Sequence, residues 1–521
     1  PYHLGGIIPD RSWLLVMTPA AFHARFNVDV RVHHEAVAID RVRKMVRVRS
    51  HRDGTETEEH YDKLVIATGS SPLDLKLPGL DLPGVLPLWT LEDMDRIAKR
   101  LDAGARSALV VGGGFVGLEL AESLRHRGLD VTLVEMARQL LPTLDPEMSS
   151  LLAAELRQAG IAVELGAAVT GFAPAAGGGV RAAAKDGRSW TADLVALCVG
   201  VKPNSDLARA AGLEMGAKGH ILTNAHMRTS DPDIYAVGDV VAVRDPVFGE
   251  WTAVPLAGPA NRQGRIAADN IAGRARKFAG SLGAAVVKVG GLTAASCGHT
   301  ETRLKAMGKK YLKIYLHPGS HAGYYPGATQ LHLKLLFGDD GKIYGGQIVG
   351  VEGVEKRVDV LAVAMRAGMT VRQLAELELC YAPPYSSAKD PMNVAGMYAT
   401  NVLDGLTSLA HADALPAGAF LLDVRSPVEV AEGALPGAVN IPLHQLRAQT
   451  GELPRDRQIV VYCRVGLRGY VAERILKQHG FDAANLSGGI LTWQMFQESP
   501  VLPEGGPQAV SSCGSEGGPR R

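Results

Sequence analysis

The sequence predicts an open α/β fold divided among several domains. Three observations predict it. Short apolar runs alternate with helical stretches along most of the chain, the pattern of parallel sheets wound with helices. One such run enters a glycine-rich turn, Gly112-Gly113-Gly114-Phe115-Val116-Gly117, ahead of a helical pattern. The chain has 521 residues, enough for about three to five domains of ordinary size.

The elements follow in order. Strands are expected over 46–48 and 63–67. A strand over 108–111 runs into the glycine turn, a helix over 117–127 follows it, and the next strand covers 131–135. Further strands are expected over 162–165, 194–199 and 234–237, the last leading into Gly238-Asp239. From 285 the texture changes. Residues 331–337 alternate and meet the turn signal Gly338-Asp339-Asp340-Gly341 before 342–349, so an antiparallel hairpin in a separate α+β domain is expected. Ala382-Pro383-Pro384 breaks regular structure. Near 405 the βα pattern restarts, with strands over 420–424 and 459–462 and a helix from about Arg468. The tail after Pro500 is rich in Gly, Pro and Ser and is expected to be disordered.

Composition narrows the function classes. Apolar residues make up 46% and charged residues 21%, which is ordinary globular material. Lys and Arg number 55 against 54 Asp and Glu, a net charge of +1. Neither nucleic acid nor a membrane surface is expected as a partner, because both call for a basic footprint. No apolar run approaches the roughly 20 residues of a membrane helix. Sixty glycines with 5% aromatics suit nucleotide-binding turns better than an all-β sandwich. The five cysteines, Cys198, Cys297, Cys380, Cys463 and Cys513, are too scattered for a disulfide framework, so a cytoplasmic setting is expected. His33-His34-Glu35 and His51 lack metal-ligand spacing, and no metal is expected.

The glycine turn has the G-x-G-x-x-G spacing, and each glycine has a task. Gly112 permits a tight turn, Gly114 lets backbone approach a pyrophosphate, and Gly117 lets helix pack on strand. The helix N-terminus then presents unpaired N–H groups to phosphate. Glu135 ends the next strand, about 20 residues on; a carboxylate there binds a ribose 2′-hydroxyl and repels a 2′-phosphate, so NADH is favoured over NADPH.

Around this fingerprint the chain resembles the pyridine nucleotide–disulfide oxidoreductases. Ala67-Thr68-Gly69 looks like their crossover strand against FAD. Thr229 to Asp239, with Gly238 and Asp239 at its end, looks like their late FAD motif. Gly200-Val201-Lys202-Pro203-Asn204 matches the turn that leads out of their NAD domain. Pro1-Tyr2-His3-Leu4-Gly5-Gly6 is similar to the stretch just after the redox cysteine of the coenzyme A-disulfide reductase subgroup. The resemblance therefore implies about 40 further residues before Pro1, carrying an FAD G-x-G-x-x-G and that cysteine. The 521 residues alone are then expected to hold FAD poorly.

The subgroup resemblance continues. Pro255, Leu256 and Ala257 lie in the stretch that passes the flavin ring. Tyr324, Tyr325 and Tyr381 fall in segments whose tyrosines reach the partner subunit's active cysteine in a homodimer. Lys389 and, more remotely, Arg25 match cations that hold coenzyme A phosphate. By residue type alone, Tyr324 and Tyr325 also suit an aromatic hairpin edge, and Glu355, Lys356 and Arg357 a solvated helix start. Cys198 and Cys380 read as packing residues.

A second resemblance covers about 408–500. Asp423-Val424-Arg425, Gly433-Ala434-Leu435-Pro436-Gly437, Cys463-Arg464-Val465-Gly466-Leu467-Arg468 and Gly488-Gly489 look like a single rhodanese domain. Cys463 ends a strand, its loop leads into a helix, and Arg464 and Arg468 add positive charge; such surroundings favour a thiolate and cradle an anionic persulfide. Four residues separate Cys463 from Arg468, against five in phosphatase loops, and the smaller cradle suits sulfur. This domain is expected to transfer sulfur on its own core.

Together these resemblances imply two Rossmann-like dinucleotide-binding domains, the first incomplete, then an α+β dimerisation domain and a C-terminal α/β rhodanese domain. The expected divisions are 1–103 and 225–284 for the FAD domain, 104–224 for the NAD domain, 285–402, 408–500, and the tail 501–521. The implied activity is an FAD-dependent, NADH-oxidising reductase of sulfur–sulfur bonds in coenzyme A persulfide, polysulfide or coenzyme A disulfide. An NADH oxidase or peroxidase, or a sulfurtransferase without reductase turnover, are the alternatives. The substrate is a small sulfur compound.

Overall fold

A computed structural model of the chain describes residues 1–499. The expected disordered tail, with Cys513, lies outside the described residues.

Two parallel sheets and one antiparallel sheet carry the architecture. In the first parallel sheet the strand order is Val85–Pro87, Leu194–Leu197, Ser107–Val111, Asp130–Val134, Ala162–Glu164. Its central strand Ser107–Val111 is buried along its length after Ser107, because helices and loops cover both faces. The helix after it spans Phe115–His126, two residues earlier than the pattern suggests, since Gly114 adopts extended backbone and serves as its N-cap. Beside this sheet, Leu64–Ile66 pairs in parallel with Ile234–Ala236, and the expected strand over 46–48 is the centre, Met45–Ser50, of an antiparallel sheet whose outer strands, His34–Asp40 and Glu56–His60, periodicity did not single out.

The antiparallel unit has five strands, ordered Ala285–Val289, Leu292–Gly298, Ile343–Gly350, Leu331–Phe337, Leu312–Leu316. The expected hairpin is its centre, with Leu333 opposite Ile348. The C-terminal unit repeats the parallel design, with order Leu409–Ala410, Ala483–Leu486, Ile459–Tyr462, Phe420–Asp423, Val439–Asn440. Among the described residues no helix is long and apolar enough to cross a membrane.

The C-terminal unit has its own apolar core, including Leu422, Val461, Cys463 and Leu476, yet it is docked firmly. Met495 of the helix Gly489–Glu498 enters the core of the first parallel sheet. Ser487 Oγ accepts from the Tyr315 backbone N–H at 3.0 Å, and His317 Nε2 meets Thr492 Oγ1 at 2.8 Å.

Under this seam lies a buried ionic node. Lys334 Nζ, with no exposed side-chain surface, sits 2.8 Å from Asp145, 2.6 Å from Glu147 and 2.6 Å from Glu301. Asp145 also accepts from the backbone N–H groups of Glu301 and Thr302 and from Gln347. Glu301 reaches Lys313, which reaches Asp413 of the C-terminal unit. The three carboxylates are close enough to hold a cation, and the Lys334 ammonium is that cation.

Three histidines flank the seam with Nδ1 buried and unpartnered: His317, His332 and His411. Burial lowers all three, His332 and His411 to about 4. A histidine lowered in the folded state is protonated first in the unfolded chain, so stability falls as pH drops from about 6.5 through 4. The loss is expected to approach about 2 kcal/mol for each of these two histidines. Urea midpoints at pH 7 and pH 4.5 check this. The pH dependence should shrink in His411→Gln, and an undiminished dependence in that variant would contradict the assignment.

Candidate active sites

The first site is built on the glycine turn. Gly112 has φ +114°, and a Cβ on it would stand 2.2 Å from the Cys198 carbonyl oxygen. A Cβ on Gly117 would stand 1.9 Å from the Gly112 oxygen, so helix and strand approach too closely for any side chain. Gly114 faces open space, and as an N-cap without a side-chain acceptor it leaves the first helical N–H groups free for an anion. Glu135 accepts from Gly113 N–H at 2.6 Å and from Ala137 N–H at 2.7 Å, which holds its carboxylate at the mouth of the turn. Cys198 packs beneath, partly buried against the core of this sheet, and the burial of its thiol pushes it up to about 12.

The motifs that follow the flavin resemblance are drawn together by pairing. Ser70–Pro72, just after Ala67-Thr68-Gly69, pairs antiparallel with Val201–Pro203, just after Gly200. Thr68 Oγ1 donates to Asn204 O at 2.6 Å, and Asn204 returns a bond to Thr68 O at 3.0 Å. Gly69 and Gly200 both hold positive φ at these turns. Ser70 Oγ donates to Asp239 at 2.9 Å, and Gly238 N–H donates to the buried Gln263 at 2.7 Å. The helix Ala257–Ile271 begins after Leu256 without a side-chain cap, leaving a second set of free amides beside Pro255, Leu256 and Ala257. A carboxylate, a bent glycine and an uncapped helix start suit the polar chain and ring of a flavin. A cleft of about 700 Å³ joins the two sets, lined by Phe115, Pro142, Val254, Leu256 and, from the antiparallel unit, His299 and Arg303.

The tyrosine site differs from expectation. Tyr324 and Tyr325 are not on a hairpin edge; they sit in the loop between Leu312–Leu316 and Leu331–Phe337. They also part company. The Tyr324 and Tyr381 hydroxyls hydrogen-bond at 3.0 Å on the surface, and this bond raises the Tyr381 phenol. Tyr325 packs edge-on against His321. Cys380 is exposed beside Tyr381, because its segment runs as surface loop, so the packing role expected for it is corrected. Lys389 and Arg25 are both exposed, and neither forms a hydrogen bond or ion pair among the described residues; Arg25 lies on Pro19–Phe26, a helix with no buried residue.

By residue type Arg357 suits a solvated helix start, yet it is 1% exposed. It donates to Asp390 at 3.1 Å and to Ser320 O at 2.8 Å, and lies 3.3 Å from Ser386 Oγ. It therefore ties the Tyr324 loop to the Tyr381 loop. Helical spacing held the signal, since Arg357 shares the face of Val354, Val358 and Leu361, all buried.

The third site is the Cys463 loop. Cys463 is fully buried at the end of Ile459–Tyr462. Gly466, at φ +95°, turns its N–H onto Sγ at 3.2 Å and starts the helix Leu467–Gln478. Gly488 and Gly489, both at positive φ, press against the loop; a Cβ on Gly489 would stand 2.3 Å from the Cys463 oxygen. Arg468 does not stand as a free charge. It forms a two-pronged ion pair with Glu429 at 2.8 and 2.6 Å, which lowers that carboxyl to about 2, while also facing the sulfur. Arg464 is exposed on the side of His317.

Comparison with known proteins identifies the domains that carry these sites. The pyridine nucleotide-disulphide oxidoreductase model matches residues 5–264, its dimerisation-domain model 284–392, and the rhodanese-like domain model 407–496. An NADH oxidase of Methanocaldococcus jannaschii is 37% identical over 402 residues, covering 76% of this chain and 88% of that protein. A coenzyme A disulfide reductase of Staphylococcus aureus is 35% identical, covering 76% of this chain and 89% of its own. The solved structure of an NAD-dependent persulfide reductase from A. fulgidus superposes with a TM-score of 0.89 at 39% identity, covering 95% of this chain and 92% of that one.

Proposed function

Because the chain belongs to the pyridine nucleotide-disulphide oxidoreductase family and carries a rhodanese-like domain besides, we propose that it couples NADH oxidation to reduction of a sulfane sulfur, with coenzyme A persulfide or polysulfide as substrate. The observation that carries this is the union on one docked scaffold of the dinucleotide cleft and the Cys463 loop, whose amide and arginine face a sulfur atom. A plain oxidase has no use for the second site.

The roles proposed are those the family resemblance implies, and the geometry described above supports them. Gly112, Gly114 and Gly117 take the NADH pyrophosphate, Glu135 the ribose, and Gly200 turns the chain clear of the cleft. Ala67, Thr68, Gly69, Gly238, Asp239, Pro255, Leu256 and Ala257 hold FAD. The chemistry supplied by a bound flavin is acceptance of hydride and delivery of the electron pair to sulfur. Tyr324 and Tyr381 donate to sulfur at the reductase centre of a homodimer, with Tyr325 shaping that loop, and Lys389, with Arg25, meets coenzyme A phosphate as a point charge. Cys463 accepts the sulfane sulfur, Gly466 N–H and Arg468 steady the persulfide, and Arg464 draws the anionic donor in. Each turnover consumes one NADH and one proton and converts coenzyme A persulfide to thiol and hydrogen sulfide. We place the domain divisions at the boundaries given above, and the setting in the cytoplasm.

The test is anaerobic NADH consumption by the FAD-loaded enzyme. Sulfide released one for one with NADH, from persulfide or polysulfide, is the expected result. Consumption that needs oxygen would instead favour an NADH oxidase. A second measurement reads the cofactor choice. Glu135→Gln is expected to lower kcat/KM for NADH about tenfold, by about 1–2 kcal/mol, with a smaller loss for NADPH. Equal losses for both would remove Glu135 from that role.

A further inference from the structure

The Cys463 loop is steadied from outside its own domain. Asn485, on the strand next to Cys463's, is fully buried. Its Nδ2 donates to Gly466 O at 3.1 Å and to the Tyr398 hydroxyl at 2.9 Å. Gly466 is the residue whose N–H rests on Cys463 Sγ. Asn485 Oδ1 is buried without a partner and lies 2.3 Å from where a Gly469 Cβ would stand, so the amide is wedged against the start of the helix Leu467–Gln478. Tyr398 belongs to neither the loop nor the rhodanese-like domain. It lies on the helix Pro391–Leu403 of the antiparallel unit. That helix starts at Asp390, the residue clamped by Arg357 between the two tyrosine loops.

We propose that Tyr398 is a positioning residue for sulfur transfer, acting through Asn485 and Gly466 on Cys463. Both donor hydrogens of the Asn485 amide are spoken for, one by the loop and one by Tyr398, so the amide cannot turn. Removing the Tyr398 oxygen frees one of them. The amide can then rotate, Gly466 O loses its partner, and the Gly466 N–H drifts from Sγ. The helix Pro391–Leu403 thus joins both sulfur sites. Its N-cap is fixed with the tyrosine loops, and its Tyr398, about 12 Å further along, is fixed with the Cys463 loop. This inference rests on the sulfur-handling reading of Cys463, but its geometry can be tested separately.

The experiment uses the whole chain and follows alkylation of Cys463 by iodoacetamide across pH, read on the Cys463 peptide by mass. Tyr398→Phe removes one oxygen and no volume. It is expected to move the alkylation midpoint up by about half a pH unit or more and to lower kcat for sulfur transfer from thiosulfate to cyanide about tenfold, with KM within twofold. Tyr470→Phe is the control. It removes the neighbouring cross-seam bond, 3.3 Å, from Asn401 of the same helix Pro391–Leu403 to Tyr470 of the helix Leu467–Gln478, and should leave both readouts unchanged. Asn485→Ala should match or exceed Tyr398→Phe; if it fails to fold, Tyr398→Phe decides. A wild-type profile in Tyr398→Phe overturns the proposal, and so does an equal shift in Tyr470→Phe, which would make the effect one of seam packing. A wild-type enzyme that moves no sulfur from thiosulfate would sink the sulfur-handling reading, while the alkylation profiles would still decide the role of Tyr398.

Discussion

Lys334→Met should cost the folded chain about 3–5 kcal/mol, the range for breaking a buried ion pair by removing one partner. Asp145, Glu147 and Glu301 each lie within 2.8 Å of that ammonium. Desolvation opposes charge on all four groups. Their mutual attraction wins, holding Lys334 well above the usual lysine range and Glu301 far below the usual carboxylate range. Without the ammonium, the carboxylates can escape buried repulsion only by taking up protons or by opening the seam. The variant should therefore gain stability, relative to the parent, as pH falls from 7 towards 5, because the missing cation is then replaced by protons. Urea unfolding followed separately by probes on the C-terminal and antiparallel units is the measurement, since a multidomain chain need not unfold in one step. A midpoint within about 1 kcal/mol of the parent at pH 7 would show that the node is not what holds these units together.

The second large effect is chemical. Cys463→Ser should abolish transfer of sulfane sulfur, a loss of about a thousandfold or more, because a hydroxyl is neither deprotonated nor nucleophilic enough under the same amides. The dinucleotide cleft is built from other residues. Reduction of coenzyme A disulfide by NADH should therefore persist, while turnover with sulfane donors slows. Equal loss on both substrates would mean that Cys463 serves the reductase step itself. No loss on either would return the residue to an ordinary core cysteine.

Much of the machinery was legible one-dimensionally. Gly112, Gly114 and Gly117 do their work through local backbone shape, and so does Gly466, so a spacing of glycines reports them directly. Cys463 ends a strand and precedes a helix, and that too is local. What failed was local reasoning about charge. Arg357 sits in a polar run, Glu355-Lys356-Arg357, and only its position on the Val354–Leu361 face marked it as buried. Arg468 looked like a bare cation for the sulfur, whereas Glu429, 39 positions away, shares it.

By itself, then, the sequence determined the central strands of the parallel sheets, the hairpin of the antiparallel unit, the dinucleotide glycine turn and the sulfur loop, because each depends on residues within a few positions of one another. Only the tertiary structure decided the pairing of Tyr324 with Tyr381 rather than Tyr325, the burial of Lys334 among acids from distant segments, and the reach of Tyr398 across a domain seam to Asn485. Those depend on where unlike segments meet. The energy of a buried charge or a buried amide is set by its neighbours in space, and chain separations of 57, 87 and 187 residues leave no local trace of them.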